Sequence, residues 1–127
     1  LHLLSRRQRQ MCIETAFEWL SVIRLPDFIT KADFDWAVRV AGEKKKTDCS
    51  RAEFLTIEEG LCVQIMHHGA FDSEPDTIKI MDDYLSENGY ENDFSGLRRH
   101  HEIYMSDARR VVPEKWKTVI RHPVRKL

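Results

Sequence analysis

Two well-bounded helical segments, each followed by strand-like sequence, constrain the fold of this chain more than any other feature. Thr30 and Asp33 form the pattern of a capping box. Apolar residues then recur at helical spacing and predict a buried stripe of Phe34, Ala37, Val38 and Ala41. Gly42 and the three lysines at 44–46 mark the end of this helix, because positive charge suits the carboxyl end of a helix dipole.

The second helical segment has signals at both ends. Ser73 is the predicted N-cap, Asp76 completes a capping box, and Pro75 falls in the first turn, where its missing N–H costs nothing. The sequence Asn88-Gly89 is a typical helix stop, since glycine readily adopts a left-handed conformation. The predicted core stripe is Ile78, Met81 and Leu85, with Tyr84 beside it.

Strand-like patterns fill most of the remaining chain. They cover residues 14–24, 53–59, 61–67, 100–106 and 116–122. A helix over 10–23 also fits the spacing of Ile13, Phe17 and Leu20, and 53–67 is either two strands or one strand bent near Gly60. Residues 90–98 are predicted to be a polar loop. The order of elements predicts an α+β fold, an antiparallel sheet with helices packed on one face and the other face free to bind.

Length and pattern predict one domain. The chain has 127 residues, enough for a hydrophobic core of its own. Residues 1–13 are a poorly patterned amino-terminal arm, and 14–127 form the domain. Because the chain begins with Leu1 and not with methionine, we expect it to be a fragment or a processed product.

Charge and cysteine usage limit the partners. A net charge of −1 gives no reason to expect nucleic acid or an anionic membrane as a partner, and no apolar run approaches the ~20 residues of a spanning helix. Cys12, Cys49 and Cys62 are odd in number and lack CxxC spacing, so they are predicted to be free thiols in a reducing compartment. We therefore expect a cytoplasmic protein.

An acid and a phenol share one strand face in the candidate site. Glu102 lies in the strand-like run of residues 100–106, and Tyr104 points to the same side because side chains alternate with period two. By spacing alone, a solvent-facing carboxylate is a better interpretation than a binding group, since charged residues are mostly exposed. Tyr104 is equally consistent with packing across the sheet and with donating a hydrogen bond to a ligand.

Further candidates come from aromatic and strand positions. Cys62, Gln64, Met66 and His68 share one face of the strand after Gly60, a mixed surface of the kind that lines pockets. Four aromatic rings fit either the core or a pocket wall, and as pocket walls they would suit a flat apolar or cationic ligand: Trp19, Trp36, Phe71 and Trp116. Trp19 and Trp36 are the better pocket candidates.

The two histidine pairs raise the question of a metal. One member of His67-His68 and one of His100-His101 could join Glu102 as a ligand set, but no HxH or HExxH spacing supports it. We predict structural or pocket-wall histidines, no metal and no cofactor.

Three stretches of the carboxy-terminal half carry a family resemblance. They are EEGLCVQIMHHG at 58–69 followed by Glu74-Pro75, GLRRHHEIYMSD at 96–107, and PEKWKTVIR at 113–121. With these stretches the chain resembles the GyrI-like small-molecule-binding domain family, in its stand-alone bacterial branch, over residues 17–122. Stand-alone members are usually longer at the amino terminus, so the chain resembles a shortened member with an incomplete first half. Ala108 stands where a proline is common.

The resemblance implies a structure and a function. Family members consist of two β-α-β-β halves around a concave aromatic groove that binds hydrophobic, often cationic, molecules. Some members hydrolyse electrophiles such as cyclopropanoid toxins and isothiocyanates. The central groove glutamate falls on Glu102, which implies a pKa raised by desolvation and a role as counter-ion or as general base, with Tyr104 assisting.

Alternatives to hydrolysis stay open at this point. One is a drug-binding or sequestering module without catalysis, and another is a domain that binds a partner segment in the groove. The expected partner is a small hydrophobic or electrophilic ligand. A homodimer is a further expectation, since a truncated half would expose a strand edge that a second copy could cover.

Overall fold

The computed structural model describes the backbone of residues 2–11 and 16–127 and the side chains from Trp19 onward. The chain divides into two compact units, Leu1–Glu58 and Glu59–Leu127. Each unit combines one long helix with antiparallel strands. The predicted α+β fold is therefore confirmed. No helix among the described residues is long and apolar enough to cross a membrane.

The amino-terminal unit contains a three-stranded sheet and helix α1. Its elements are β1 (His2–Met11), β2 (Ala16–Arg24), α1 (Lys31–Lys45) and β3 (Glu53–Thr56), with strand order β2-β1-β3. The sequence pattern predicted a poorly patterned arm over residues 1–13, a range that includes all of β1. Strand β1 instead pairs with both neighbours, so that Leu4 lies opposite Ile23 and Phe54. Distant strands provide this pairing, which explains why the local pattern did not reveal it.

Helix α1 begins at the predicted cap. The Asp33 N–H donates to Thr30 Oγ1 over 3.2 Å, and the Thr30 N–H donates to Asp33 Oδ2 over 2.8 Å, which completes the capping box. Lys46 ends the helix in a left-handed conformation. Phe34 is buried and packs on Phe54 of β3 at 5.4 Å between ring centroids. The rest of the predicted stripe is less buried, because Ala37 and Ala41 are exposed.

The carboxy-terminal unit is a sheet built around a central strand. Its elements are β4 (Cys62–His68), α2 (Glu74–Asn88), β5 (Tyr90–Asn92), β6 (His101–Tyr104) and β7 (Lys117–Lys126). Strand β7 pairs antiparallel with β4 on one side and with β6 and β5 on the other. The predicted loop over 90–98 therefore contains a short strand.

Strand β7 is longer than predicted because it continues through Pro123. Strand β6 pairs with β7 up to Arg121, and β5 pairs with it from Val124 onward. Since the Val124 N–H donates to Leu61 in front of β4, the ring nitrogen of Pro123 faces the other side, where β6 gives way to β5. A proline is tolerated at such a point because no ladder hydrogen bond is needed there.

Helix α2 begins differently from the prediction. A 3-10 turn over Phe71–Ser73 leads into it, so Ser73 has φ −95° and ψ 1° and its side chain makes no capping hydrogen bond. The Ser73 hydroxyl donates instead to the Ala70 carbonyl over 2.8 Å. Gly89 ends the helix in the predicted left-handed conformation. Met81 and Leu85 of α2 and Ile120 of β7 form the buried core of this unit.

Candidate ligand-binding site

The register of the sheet sorts the predicted site residues onto two faces. Glu102 lies opposite Ile120, and Tyr104 lies opposite Thr118; both β7 residues are buried. Gln64, Met66 and His68 pair with the alternate β7 residues Arg121, Val119 and Lys117. Since directly paired residues share a face, Glu102 and Tyr104 lie on one face of the sheet and the three β4 residues on the other.

The Glu102 face is the face that α2 covers. His67 of β4 shares this face, is 2% exposed, and its Nδ1 lies 2.8 Å from Thr77 Oγ1 on α2. Its Nε2 lies 2.9 Å from the Ala70 carbonyl, which can only accept, so Nε2 carries the proton. His67 therefore ties β4 to the turn before α2. The expectation of a site on the helix-free face does not hold for Glu102.

The opposite face carries a polar network. Arg121 donates to Gln64 Oε1 over 3.0 and 2.9 Å and to Glu59 Oε1 over 2.6 Å. Met66 and His68 are exposed on the same face. The structure thus does not bring Gln64, Met66 and His68 together with Glu102, and their part in ligand binding stays a prediction.

Both carboxylate oxygens of Glu102 accept hydrogen bonds. His100 Nε2 lies 3.0 Å from Oε1, and the Tyr104 hydroxyl donates to Oε2 over 2.5 Å. Because a carboxylate can only accept, His100 Nε2 carries a proton. The Glu102 side chain is 29% exposed, so it is partly withdrawn from water.

These bonds set the charge state of the acid and the phenol. The hydrogen bond from His100 holds the pKa of Glu102 below its usual range, although desolvation opposes this and Tyr104 adds to it. The raised pKa predicted for Glu102 is therefore wrong, because hydrogen bonds to the anion outweigh burial. For Tyr104, partial desolvation and the hydrogen bond to the neighbouring Glu102 carboxylate raise the pKa well above its usual range, so the phenol stays protonated although much of the ring is exposed.

A second histidine extends the chain of contacts inward. His100 Nδ1 lies 2.7 Å from Nε2 of His122, which is 5% exposed on β7. Burial, followed by the neighbouring His100, lowers the pKa of His122 and keeps this ring neutral near pH 7. The Phe94 ring packs edge-on against His122 at 5.0 Å. His122, His100, Glu102 and Tyr104 thus form one continuous hydrogen-bonded chain.

Aromatic rings stand beside this chain. Phe71 packs against Trp116 at 4.6 Å and against Tyr104 at 5.6 Å between ring centroids. Trp116 Nε1 donates to the Val111 carbonyl over 2.7 Å, which fixes the indole. Phe71 is 39% exposed and Tyr104 60% exposed, so both rings remain partly accessible. We define the Glu102 site as Phe71, Glu74, His100, Glu102, Tyr104 and Trp116.

Glu74 is the site residue that the sequence analysis missed. It is the first residue of α2, 7% exposed, and its Oε1 has no hydrogen-bond partner. Glu74, His100 and Glu102 offer side-chain atoms that all lie within 4.8 Å of one another. A metal ion there would have to displace the hydrogen bond between His100 and Glu102. The sequence signal that could have identified Glu74 was the Glu74-Pro75 dipeptide, which belongs to a stretch that resembles the family.

The carboxy-terminal unit also contains an apolar cavity of about 490 Å³. Helix α2 lines it with Ile80 and Tyr84, β4 with Leu61 and Val63, and the far end of the sheet with Tyr90 and Val124. Neither Glu102 nor Tyr104 lines this cavity. Two different surfaces of this unit are therefore open to a small molecule.

Comparison with known proteins identifies the family. The model of the GyrI-like small molecule binding domain matches residues 22–125. The chain belongs to this family. No match was found among the curated proteins.

Three solved structures from Listeria innocua are similar to this GyrI-like chain. One, described as a hydrolase, is 38% identical with a TM-score of 0.82, and the match covers 98% of this chain and 61% of the Listeria chain. An uncharacterized conserved protein is 39% identical with a TM-score of 0.83, over 98% and 62%. Another hydrolase is 37% identical with a TM-score of 0.80, also over 98% and 62%. The chain thus spans about three fifths of the length of these relatives.

The two remaining tryptophans belong to the amino-terminal unit. Trp19 is half-buried in β2, and Trp36 is 61% exposed on α1. Their role in ligand binding stays a prediction.

Proposed function

We propose that this GyrI-like chain binds hydrophobic aromatic molecules that carry a positive charge, and that Glu102 is their counter-ion. The observation that carries the proposal is the pair of hydrogen bonds from His100 and Tyr104 that keeps Glu102 ionised. An ionised carboxylate next to three aromatic rings supports a cationic aromatic ligand, because the rings also attract a cation through their faces.

Glu102 is suited to this role because no cation already neutralises it. Within the described residues, its only ion-pair contact is with His100, which is charged only when protonated. Glu59 on the other face of the sheet differs, since it is bound by the always-charged Arg121. An anion without a permanent partner, 29% exposed beside Phe71 and Trp116, is available to a ligand.

The binding test uses a permanent cation and a neutral molecule of similar shape. Tetraphenylphosphonium and triphenylphosphine oxide are titrated calorimetrically into wild type, Glu102→Gln and Glu87→Gln. Glu87→Gln is the matched control, because Glu87 is exposed near the end of α2. We expect Glu102→Gln to lower the affinity for the cation about tenfold, since a contact to a charged group contributes about 1.5 kcal/mol. The affinity for the neutral molecule and both affinities of Glu87→Gln should stay unchanged. Equal loss for both ligands in Glu102→Gln would contradict the counter-ion role.

Hydrolysis of electrophiles is the second candidate. The hydrolase description of two similar structures and the contact between Glu102 and Tyr104 favour it. For an isothiocyanate, Glu102 takes a proton from water while the water oxygen bonds to the central carbon. The electron pair of the C=N π bond moves to nitrogen, which then receives the proton from Glu102. Tyr104, which stays protonated, donates a hydrogen bond to the developing negative charge.

Incubation with benzyl isothiocyanate separates the two candidates. If the chain is a hydrolase, wild type and Glu87→Gln convert the compound faster than buffer does, and Glu102→Gln loses this excess. Cation binding without any excess turnover would support the binding module and not the hydrolase.

We also propose a cytoplasmic location. The free thiols of Cys49 and Cys62 support it, because free thiols persist in a reducing compartment.

A further inference from the structure

Two carboxylates meet in the Glu102 site without a lysine or arginine between them. Glu74 of α2 and Glu102 of β6, with His100, offer atoms within 4.8 Å of one another. Within the described residues, neither glutamate forms an ion pair with lysine or arginine. Two partly desolvated carboxylates this close repel each other unless a proton or another cation lies between them.

We propose that Glu74 and Glu102 share one proton, that Glu74 carries it in the free protein, and that a cationic ligand displaces it. Glu74 is then a positioning residue that acts through Glu102, because it sets the negative charge that the ligand meets. This inference rests on the proposed function only in taking Glu102 as the counter-ion.

The hydrogen bonds show which of the two glutamates carries the proton. Both oxygens of Glu102 accept hydrogen bonds, from His100 and Tyr104, and such bonds stabilise the anion. Glu74 is 7% exposed and its Oε1 is buried without a partner, which favours the neutral acid. Burial, followed by the charge of Glu102, correspondingly raises the pKa of Glu74.

The position of Glu74 at the start of α2 acts in the opposite direction. The amino end of a helix favours an anion only weakly. A buried carboxylate oxygen without a hydrogen bond costs more, even for a neutral polar group. Burial therefore prevails, and Glu74 is neutral next to the ionised Glu102.

Three ionisable groups interact with the pair: His67 on β4, His100 before β6 and Tyr104 on β6. His100 is held between Glu102 and His122 of β7, and Asp82 of α2 lies near His122. His67 is held by Thr77 and Ala70, Asp82 accepts from Asn92, and Tyr104 stays protonated. His122 is neutral because burial lowers its pKa. The proton of Glu74 is therefore the one that ligand binding can move most readily.

A consequence for ligand binding follows. When a cation enters, the O–H bond of Glu74 breaks, the proton passes to the solvent, and the site charge changes from −1 to −2. A neutral ligand leaves the proton in place. Affinity for a cation should thus rise with pH as Glu74 ionises, whereas affinity for a neutral ligand should not depend on Glu74.

The first test needs no ligand. Carboxyl carbon resonances of glutamate are followed by NMR through a pH titration of wild type, Glu102→Gln and Glu87→Gln, after dialysis against EDTA. We expect Glu74 to titrate above the usual glutamate range in wild type and in Glu87→Gln, and at lower pH in Glu102→Gln. An ordinary midpoint for Glu74 that is the same in all three proteins would overturn the proposal. If the Glu74 titration differs from an ordinary one only after EDTA is removed and Zn²⁺ is added, a metal ion and not a proton links the two glutamates. That result would overturn the proposal as well.

The second test measures proton release on binding. Tetraphenylphosphonium is titrated at one pH in buffers with different ionisation enthalpies, which yields the number of protons released. We expect wild type to release up to one proton and Glu74→Gln to release none while still binding the cation. Triphenylphosphine oxide should release none from either protein. Equal proton release from wild type and Glu74→Gln would show that Glu74 is not the source.

The two tests separate this inference from the proposed function. Coupled titration of the two glutamates without any binding of the cation would sustain the proton-sharing pair and contradict the counter-ion role of Glu102. Cation binding that depends on Glu102 but releases no proton would sustain the counter-ion role and overturn the displacement of the proton.

Discussion

Hydrogen bonding at single residues decides the chemistry of the Glu102 site. Glu102 is partly desolvated, yet the donors of His100 and Tyr104 hold it as an anion. Glu74, only one side chain away, has no such donor at Oε1 and is pushed toward its neutral form. Two glutamates of the same intrinsic acidity thus differ because their immediate surroundings differ.

At the residue scale, His122 should make stability depend on pH. Burial lowers its pKa in the folded protein, so the unfolded chain binds a proton more readily. The contribution of neutral His122 to stability is present above its ordinary pKa of 6.5 and is lost as pH falls through the lower folded value. We expect His122→Asn to lose less stability than wild type between pH 7.5 and 5.5, measured by urea unfolding.

The control for this prediction is His68→Asn, because His68 is exposed on the other face of the sheet. It should follow wild type over the same pH range. An unchanged pH dependence in His122→Asn would mean that another group controls the loss of stability in acid.

At the element scale, the two helix starts differ in how much their cap residues contribute. The capping box of Thr30 and Asp33 satisfies two N–H groups at the start of α1. We expect Thr30→Ala to lower the free energy of unfolding by about 1 kcal/mol, because an exposed N–H loses its partner. Thr30→Ser retains the hydroxyl and should lower the free energy of unfolding by at most a few tenths of that amount. Thermal or urea unfolding measures both variants. Equal losses for both variants would show that the hydroxyl is not the stabilising group.

Helix α2 is held mainly by the turn before it and less by a cap. Ser73 donates to Ala70, and His67 contacts both Ala70 and Thr77. These bonds place Phe71 beside Trp116 and Glu74 beside Glu102. The geometry of the Glu102 site therefore depends on the link between β4 and the start of α2.

At the scale of the whole molecule, the binding surface has to be chosen between two places. The Glu102 site lies at the start of α2, whereas the apolar cavity lies along its later part. We expect Trp116→Ala to weaken tetraphenylphosphonium binding about tenfold, because an aromatic contact contributes about 1–2 kcal/mol. Ile80→Ser, in the cavity, should leave the affinity unchanged.

Circular dichroism of both variants checks that they are folded, and Phe71→Leu provides a second, milder change in the Glu102 site. Weakening by Ile80→Ser with normal binding in Trp116→Ala would place the ligand in the cavity. The chain spans about three fifths of the length of its structural relatives. Binding measured on this chain therefore tests its own two surfaces.

Local rules predicted some parts of the fold and missed others. The capping box at Thr30 and the left-handed Gly89 were predicted correctly, because both depend on residues within one helical turn. Ser73 was predicted wrongly as a cap, since the preceding 3-10 turn changes its backbone conformation. Strand β5 and the extension of β7 past Pro123 were missed because their pairing partners are distant in sequence.

The sequence by itself determined that Glu102 and Tyr104 share a face, because alternation along a strand is a property of the backbone. It also determined the family, because the sequence of residues 22–125 matches the GyrI-like small molecule binding domain. Only the tertiary structure decided that Gln64, Met66 and His68 lie on the opposite face and that Glu74, His100 and His122 surround Glu102. The physical reason is that strand register and the docking of α2 depend on contacts between residues far apart in the chain, which no local pattern encodes.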